Sequence, residues 1–111
     1  MELREETSGD VVVLQVEGRV DSATAPTFGE RLSGMLSTAG SRLVVDLRHL
    51  EYISSAGFRV LLLAAKRADE AGSRFVLCGL SSKVRQLFDL GGFLDLFQIS
   101  ASREDGIAAV K

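Results

Sequence analysis

The sequence predicts an α/β fold: a mostly parallel sheet whose strands are joined by crossover helices, with an antiparallel hairpin at its start. Three observations carry this. Short runs of β-branched and apolar residues recur at Val11 to Val16, Leu43 to Leu47 and Phe75 to Cys78. Between them lie longer stretches whose apolar residues repeat with a helical period. Glycine and serine punctuate the boundaries, so the order from the second strand onward is βαβαβαβα.

Glu2 to Thr7 is a weak strand candidate, and Ser8-Gly9-Asp10 is a turn signal leading into Val11 to Val16, so the two runs read as a hairpin that Gly18 ends. Asp21 to Pro26 forms a loop entering a helix, with Thr24 as the expected cap and Pro26 in the first turn, where its missing N–H is harmless. Phe28, Leu32, Met35 and Leu36 fall on one face of that helix, which stops before Gly40. Leu43 to Leu47 is the next strand and Arg48 to Ile53 the connection after it. A second helix is expected from about Ala56 to Ala71, ended by Gly72 and apolar around so much of its circumference that it should be largely buried. Phe75 to Cys78 is followed by a third helix capped at Ser81 or Ser82, with Val84, Leu87 and Phe88 on one face and Gly91-Gly92 as its stop. Phe97 to Ile99 is a last strand candidate. Ser102 caps a final helix to Val110, with Asp105 giving a partial capping box. The tally is about five strands and four helices.

The 111 residues suit a single domain spanning 1–111. Thirteen basic and fifteen acidic residues leave a formal charge of −2, so no basic excess points to nucleic acid. The longest apolar run, Val60 to Ala65, is too short to span a bilayer, and the charged opening MELREETSGD is unlike a signal peptide. Cys78 is the one cysteine and His49 the one histidine, which fits a reducing, cytoplasmic setting and gives no material for a disulfide or a thiolate metal site. No cofactor is implied.

In open α/β sheets functional groups gather at the carboxyl ends of strands. Two such loops stand out: Asp21 to Thr24, and Ser54-Ser55. One serine can cap the helix that follows. The second hydroxyl is left over, beside the small residues Ala56 and Gly57, where another protein's active site could reach it. A phosphate added there would carry about −1.5 to −2 charges and would sit at the positive end of a helix. The fold would tolerate it while a docked partner would not. Arg59, four residues after Ser55, lies on the same helix face. Structural roles compete with each of these readings: a turn for Asp21, a solvated side chain for Arg59, an inert core thiol for Cys78, and loop-backbone support for Asp46. A serine nucleophile would need a base, for which only His49 is available, and the Gly-x-Ser-x-Gly elbow is missing. No catalytic residue is assigned.

Taken together, LQVEGRVDSATAPTF, LVVDLRHLEYISSAGFRVLL and FVLCGLSSKVRQLFDLGGFLDLF resemble a STAS domain over nearly the full length, and in particular the bacterial anti-sigma-factor antagonists. The resemblance implies a mixed sheet flanked by helices. It also implies a protein-binding module without catalysis of its own. Unphosphorylated antagonist holds an anti-sigma factor that is also a serine kinase and so frees a sigma factor. The kinase phosphorylates a serine at the start of the second helix, and a PP2C-type phosphatase reverses this. With Gly57 as anchor the acceptor falls on Ser55. Ser54 stands where the family usually has Asp, which makes it an alternative acceptor, and Ala56 stands where Ser or Thr is usual. Asp21 matches an aspartate of the kinase interface, with Ser22 and Thr24 in the same loop. The resemblance thus implies a docking face of Asp21, Ser22, Thr24, Ser54, Ala56, Gly57 and Arg59. STAS-like domains also serve as accessory subunits of lipid-transport ATPases and as signalling scaffolds, the alternative class, in which no phosphate turnover is expected.

Overall fold

The computed structural model describes residues 1–111. Strand β1 (Glu2–Ser8) pairs antiparallel with β2 (Val11–Val20), Ser8 opposite Val11. Gly9 makes the tight turn between them with a left-handed φ of 60°. Helix α1 (Ala25–Leu36) crosses to β3 (Arg42–Asp46), which lies parallel to β2 with Gln15 opposite Asp46. Strand β4 (Leu50–Ile53) then runs parallel to the far half of β2, and α2 (Ser55–Ala71) returns the chain to β5 (Arg74–Cys78), parallel to β3. Helix α3 (Ser82–Leu90), a 3₁₀ turn at Leu94–Leu96, the short β6 (Ile99–Ser100) and α4 (Arg103–Val110) complete the chain. The sheet order is β1-β2-β3-β5-β6, with β4 beside β2.

The structure confirms the mixed α/β class and corrects four details of the sequence reading. There are six strands rather than about five, because Leu50 to Ile53 is a strand and not a connection. The second strand does not end at Gly18. It bulges between Gly18 and Arg19 and runs on to Val20, Gly18 supplying a φ of 87°. The last strand begins at Ile99 rather than Phe97, because Leu94–Leu96 is spent in the 3₁₀ turn. The second helix is not largely buried. Its buried stripe is Gly57, Phe58, Leu61, Ala64 and Ala68, while Leu63 is 60% exposed, because α2 lies on the outside of the sheet with one side open.

Strand alternation divides the interior between the two faces of the sheet. Leu43, Val45 and Leu77 point to one face, where Phe28, Leu32 and Leu36 of α1, Phe58 and Leu61 of α2 and Phe88 of α3 cover them. Val44, Val76 and Cys78 point to the other, under Val110 of α4. Gly106 lets α4 lie close on the sheet: a Cβ there would stand 3.0 Å from a methyl of Val44 and 3.2 Å from one of Val76. The same face holds the buried carboxylate of Asp46. Asp46 Oδ2 accepts from Arg103 Nε at 3.2 Å and Nη2 at 3.0 Å, and Asp46 Oδ1 accepts from the Arg48 N–H at 3.0 Å. Arg103 also donates to Gln15 Oε1 at 3.1 Å and to Glu6 at 2.9 Å. One arginine thus ties α4 to β1, β2 and β3. The loop-supporting role expected of Asp46 is present, and the ion pair adds to it.

Candidate functional site

Strands β2 and β4 run parallel and end level, Val20 opposite Ile53. The loops that follow them therefore emerge side by side. The Ser54 N–H donates to the Val20 carbonyl at 2.8 Å, carrying the ladder one residue past β4. Sequence reading placed the Asp21 and Ser54 loops at the same end of the sheet, and the register sets them next to each other.

The Asp21 loop is internally locked. Asp21 Oδ1 accepts the N–H groups of Ala23 at 3.0 Å and Thr24 at 3.1 Å. In return Thr24 Oγ1 accepts the Asp21 N–H at 2.9 Å, and its hydroxyl donates to the Arg19 carbonyl at 3.1 Å. Thr24 occupies the cap position of α1 but makes no side-chain cap bond. The expectation that its hydroxyl caps the helix is thus corrected: the hydroxyl turns back to close the loop, and Asp21 organises the entry to α1. The Thr24 N–H, which favours the ionised carboxylate, is the main influence holding the Asp21 carboxyl below its usual range. Partial desolvation opposes this, while the Ala23 N–H and the Thr24 hydroxyl reinforce it.

The two serines divide their work. Ser54 has extended backbone, caps α2 by accepting the Gly57 N–H at 3.4 Å, and is half-buried. Ser55 is the first helical residue and is exposed. Ser22 and Arg59 are exposed as well, Asp21, Thr24 and Ala56 are half-buried, and Gly57 is buried. The smallness of Gly57 therefore serves the interior, not access to the hydroxyl. A Cβ on it would stand 2.6 Å from Ile53 Cγ1 and 2.8 Å from Val20 Cγ1.

Other groups fall outside this face or at its border. His49 precedes β4, so about 16 Å of extended chain lies between it and Ser54, and it does not supply a base to either serine. Cys78 is fully buried, and desolvation pushes its thiol up to about 12, aided by the nearby Asp46 carboxylate. The sequence reading missed Arg19 and Tyr52, which border the site. They pair across β2 and β4, with the guanidinium 4.4 Å from the centre of the ring. A strand at Leu50–Ile53 would have placed them, but four residues after a turn gave too short a periodic signal.

The chain is thus an α/β domain whose sheet brings two loops together, with the Asp21 carboxylate locked in one and the exposed Ser55 opening the helix after the other. The chain belongs to the STAS domain family, whose model matches residues 2–106. It is 38% identical over 111 residues to BtrV of Bordetella bronchiseptica, a candidate anti-sigma factor antagonist, with 100% of this chain and 96% of that one covered. It is 30% identical over 96 residues to the anti-sigma-B factor antagonist of Bacillus subtilis, with 86% and 87% covered. Among solved structures, an anti-sigma factor antagonist from Mycobacterium paratuberculosis superposes with a TM-score of 0.86 at 23% identity, covering 98% of this chain and 92% of that one. The phosphorylated form of SpoIIAA from Bacillus superposes with a TM-score of 0.70 at 18% identity, covering 99% and 100%. At those identities the two structures establish the fold. No helix is long and apolar enough to cross a membrane.

Proposed function

We propose that this chain is an anti-sigma-factor antagonist switched by phosphorylation of Ser55. Unphosphorylated, it docks through the Asp21 and Ser54 loops on an anti-sigma factor that is a serine kinase, and the sigma factor is freed. The kinase moves the γ-phosphoryl of ATP to Ser55 Oγ. A P–O bond to the β-phosphate breaks, an Oγ–P bond forms, ADP leaves, and the hydroxyl proton passes to a base of the kinase. A PP2C-type phosphatase hydrolyses the ester. The domain supplies substrate and surface, and no catalytic group.

The observation that carries this reading is the division of labour between the serines. Ser54 is committed to the cap, whereas Ser55 is exposed at the first turn. A dianion on Ser55 would lie at the positive end of α2, which has no acidic residue in its first turn, with Arg59 one turn on. The fold would accept the charge and a docked partner would meet a changed surface. The named relatives, matched over most of both chains, point to the same role.

The test is calorimetric titration of the kinase recovered by co-purification. Ser55→Ala should bind like the wild type and take no phosphate. Ser55→Asp should bind at least about tenfold more weakly. Equal affinity of Ser55→Asp and wild type refutes the switch, and phosphate mapped to Ser54 reassigns it.

A further inference from the structure

We propose that Gly57 is the positioning residue of this site. Without a side chain it lets the first turn of α2 rest on the last residues of β2 and β4, and so holds the Asp21 loop and Ser54-Ser55 as one surface. The functional half of this inference rests on the reading of Ser55 as phosphoacceptor; the structural half does not.

Gly57 is buried, and its missing Cβ would point at Ile53 Cγ1, 2.6 Å away, and Val20 Cγ1, 2.8 Å away. Carbon atoms sit comfortably at about 3.5 Å or more, so a methyl group requires a retreat of about 1 Å. Neither neighbour can give way. Both side chains are β-branched, hence stiff at χ1, and both are buried, Val20 at 0% and Ile53 at 2% exposure. The clash is with branch carbons, not with the free end of a flexible chain. The part left to move is the first turn of α2.

That turn carries Ser54 and Ser55 and abuts the end of β2, from which the Asp21 loop leaves. Ser54 bonds the Val20 carbonyl through its N–H, and its own carbonyl accepts the Phe58 N–H at 3.0 Å. Lifting the turn pulls Ser54 from Val20, the one backbone link between the two loops, and carries Ser55 away from Asp21. Position 57 thus acts on the acceptor through geometry and touches no partner.

The experiment compares wild type, Gly57→Ala, Ile53→Ala and the double variant Ile53→Ala/Gly57→Ala. Amide hydrogen exchange is read at Ser54 and, as a reference inside the sheet, at Val76. Mapped phosphate on Ser55 is measured after incubation with Mg-ATP and an extract of the producing cells. In Gly57→Ala, Ser54 should exchange roughly tenfold or more faster while Val76 is unchanged, and phosphate incorporation should fall roughly 100-fold. The double variant removes the tighter clash. The clash with Val20 remains, so this variant should regain part of both signals although it loses core volume, a recovery that a purely stabilising role for Gly57 does not produce. Wild-type protection of Ser54 in Gly57→Ala overturns the proposal, as does a double variant no better than the single one, whether folded or not. An unphosphorylated wild type overturns the switch, while loss and recovery of Ser54 protection would still support the seating role.

Discussion

The two faces of the sheet are built from alternate residues of the same strands, yet they are held by different physics. The face under α1, α2 and α3 is closed by a cluster of 19 buried apolar side chains, and the half-buried Phe93 stacks on its Phe58 with 4.3 Å between ring centres. The face under α4 has six buried apolar residues and relies on Gly106 for close approach and on Arg103 for directional bonds to Asp46, Gln15 and Glu6. Apolar packing is non-directional and tolerates redistribution of volume. A buried ion pair tolerates loss of neither partner, because the remaining charge is stranded. The two loops of the candidate site grow from the first of these, at the ends of β2 and β4.

Chemical denaturation can break this comparison. Phe28→Ala should give the largest loss, about 4 kcal/mol, because a fully buried ring leaves a cavity. Asp46→Ala should follow at about 3 kcal/mol, nearer the lower end for such pairs because Arg103 keeps some contact with solvent. The comparison is sharpened by a double variant. Asp46→Leu with Arg103→Met should recover most of the loss, whereas no second truncation recovers Phe28→Ala. If Asp46→Ala alone is neutral, the α4 face is held by its six apolar residues and the contrast fails.

At the candidate site the expected effects are smaller and split between the serines. Ser54→Ala should cost about 1 kcal/mol through loss of the α2 cap. Ser55→Ala should stay within about 0.5 kcal/mol. Equal losses would mean that the cap is shared.

The smallest effects concern pH. The Asp21 carboxyl titrates lower folded than unfolded, so its contribution is complete above the ordinary value of 3.8 and is lost as pH falls through the acid limb. Asp21→Asn should flatten that limb slightly. Cys78 titrates higher folded than unfolded. Its contribution is complete below the ordinary 9.0 and is lost as pH rises from there toward about 12. Alkylation followed by mass should therefore find the native thiol far slower than the unfolded one at pH 8, and comparable rates would contradict its burial.

Much of this was legible in the chain. The runs VVVLQV, LVVDL and FVLC announced the central strands, and Gly72 and Gly92 ended helices at the positions expected, with φ of 66° and 74°. Ser81 and Ser102 cap as read, accepting N–H groups at 3.2 and 3.1 Å. The losses have physical causes. LEYI is too short to show a period, and its strand exists because β2 continues past the Gly18 bulge to pair with it. Thr24 has the right type and place for a cap, but its oxygen accepts the Asp21 N–H instead of one from α1. Arg103 drew no attention in the sequence, since nothing local signals a partner 57 residues away.

The sequence by itself determined the α/β alternation, the helix ends and the two loops worth watching, because these rest on local periodicity, caps and backbone preferences. Only the tertiary structure decided which serine is exposed, what a side chain at position 57 would meet, and that Asp46 and Arg103 meet. Each of these depends on atoms far apart in the chain, brought within a few ångströms by strand register that local signals do not encode.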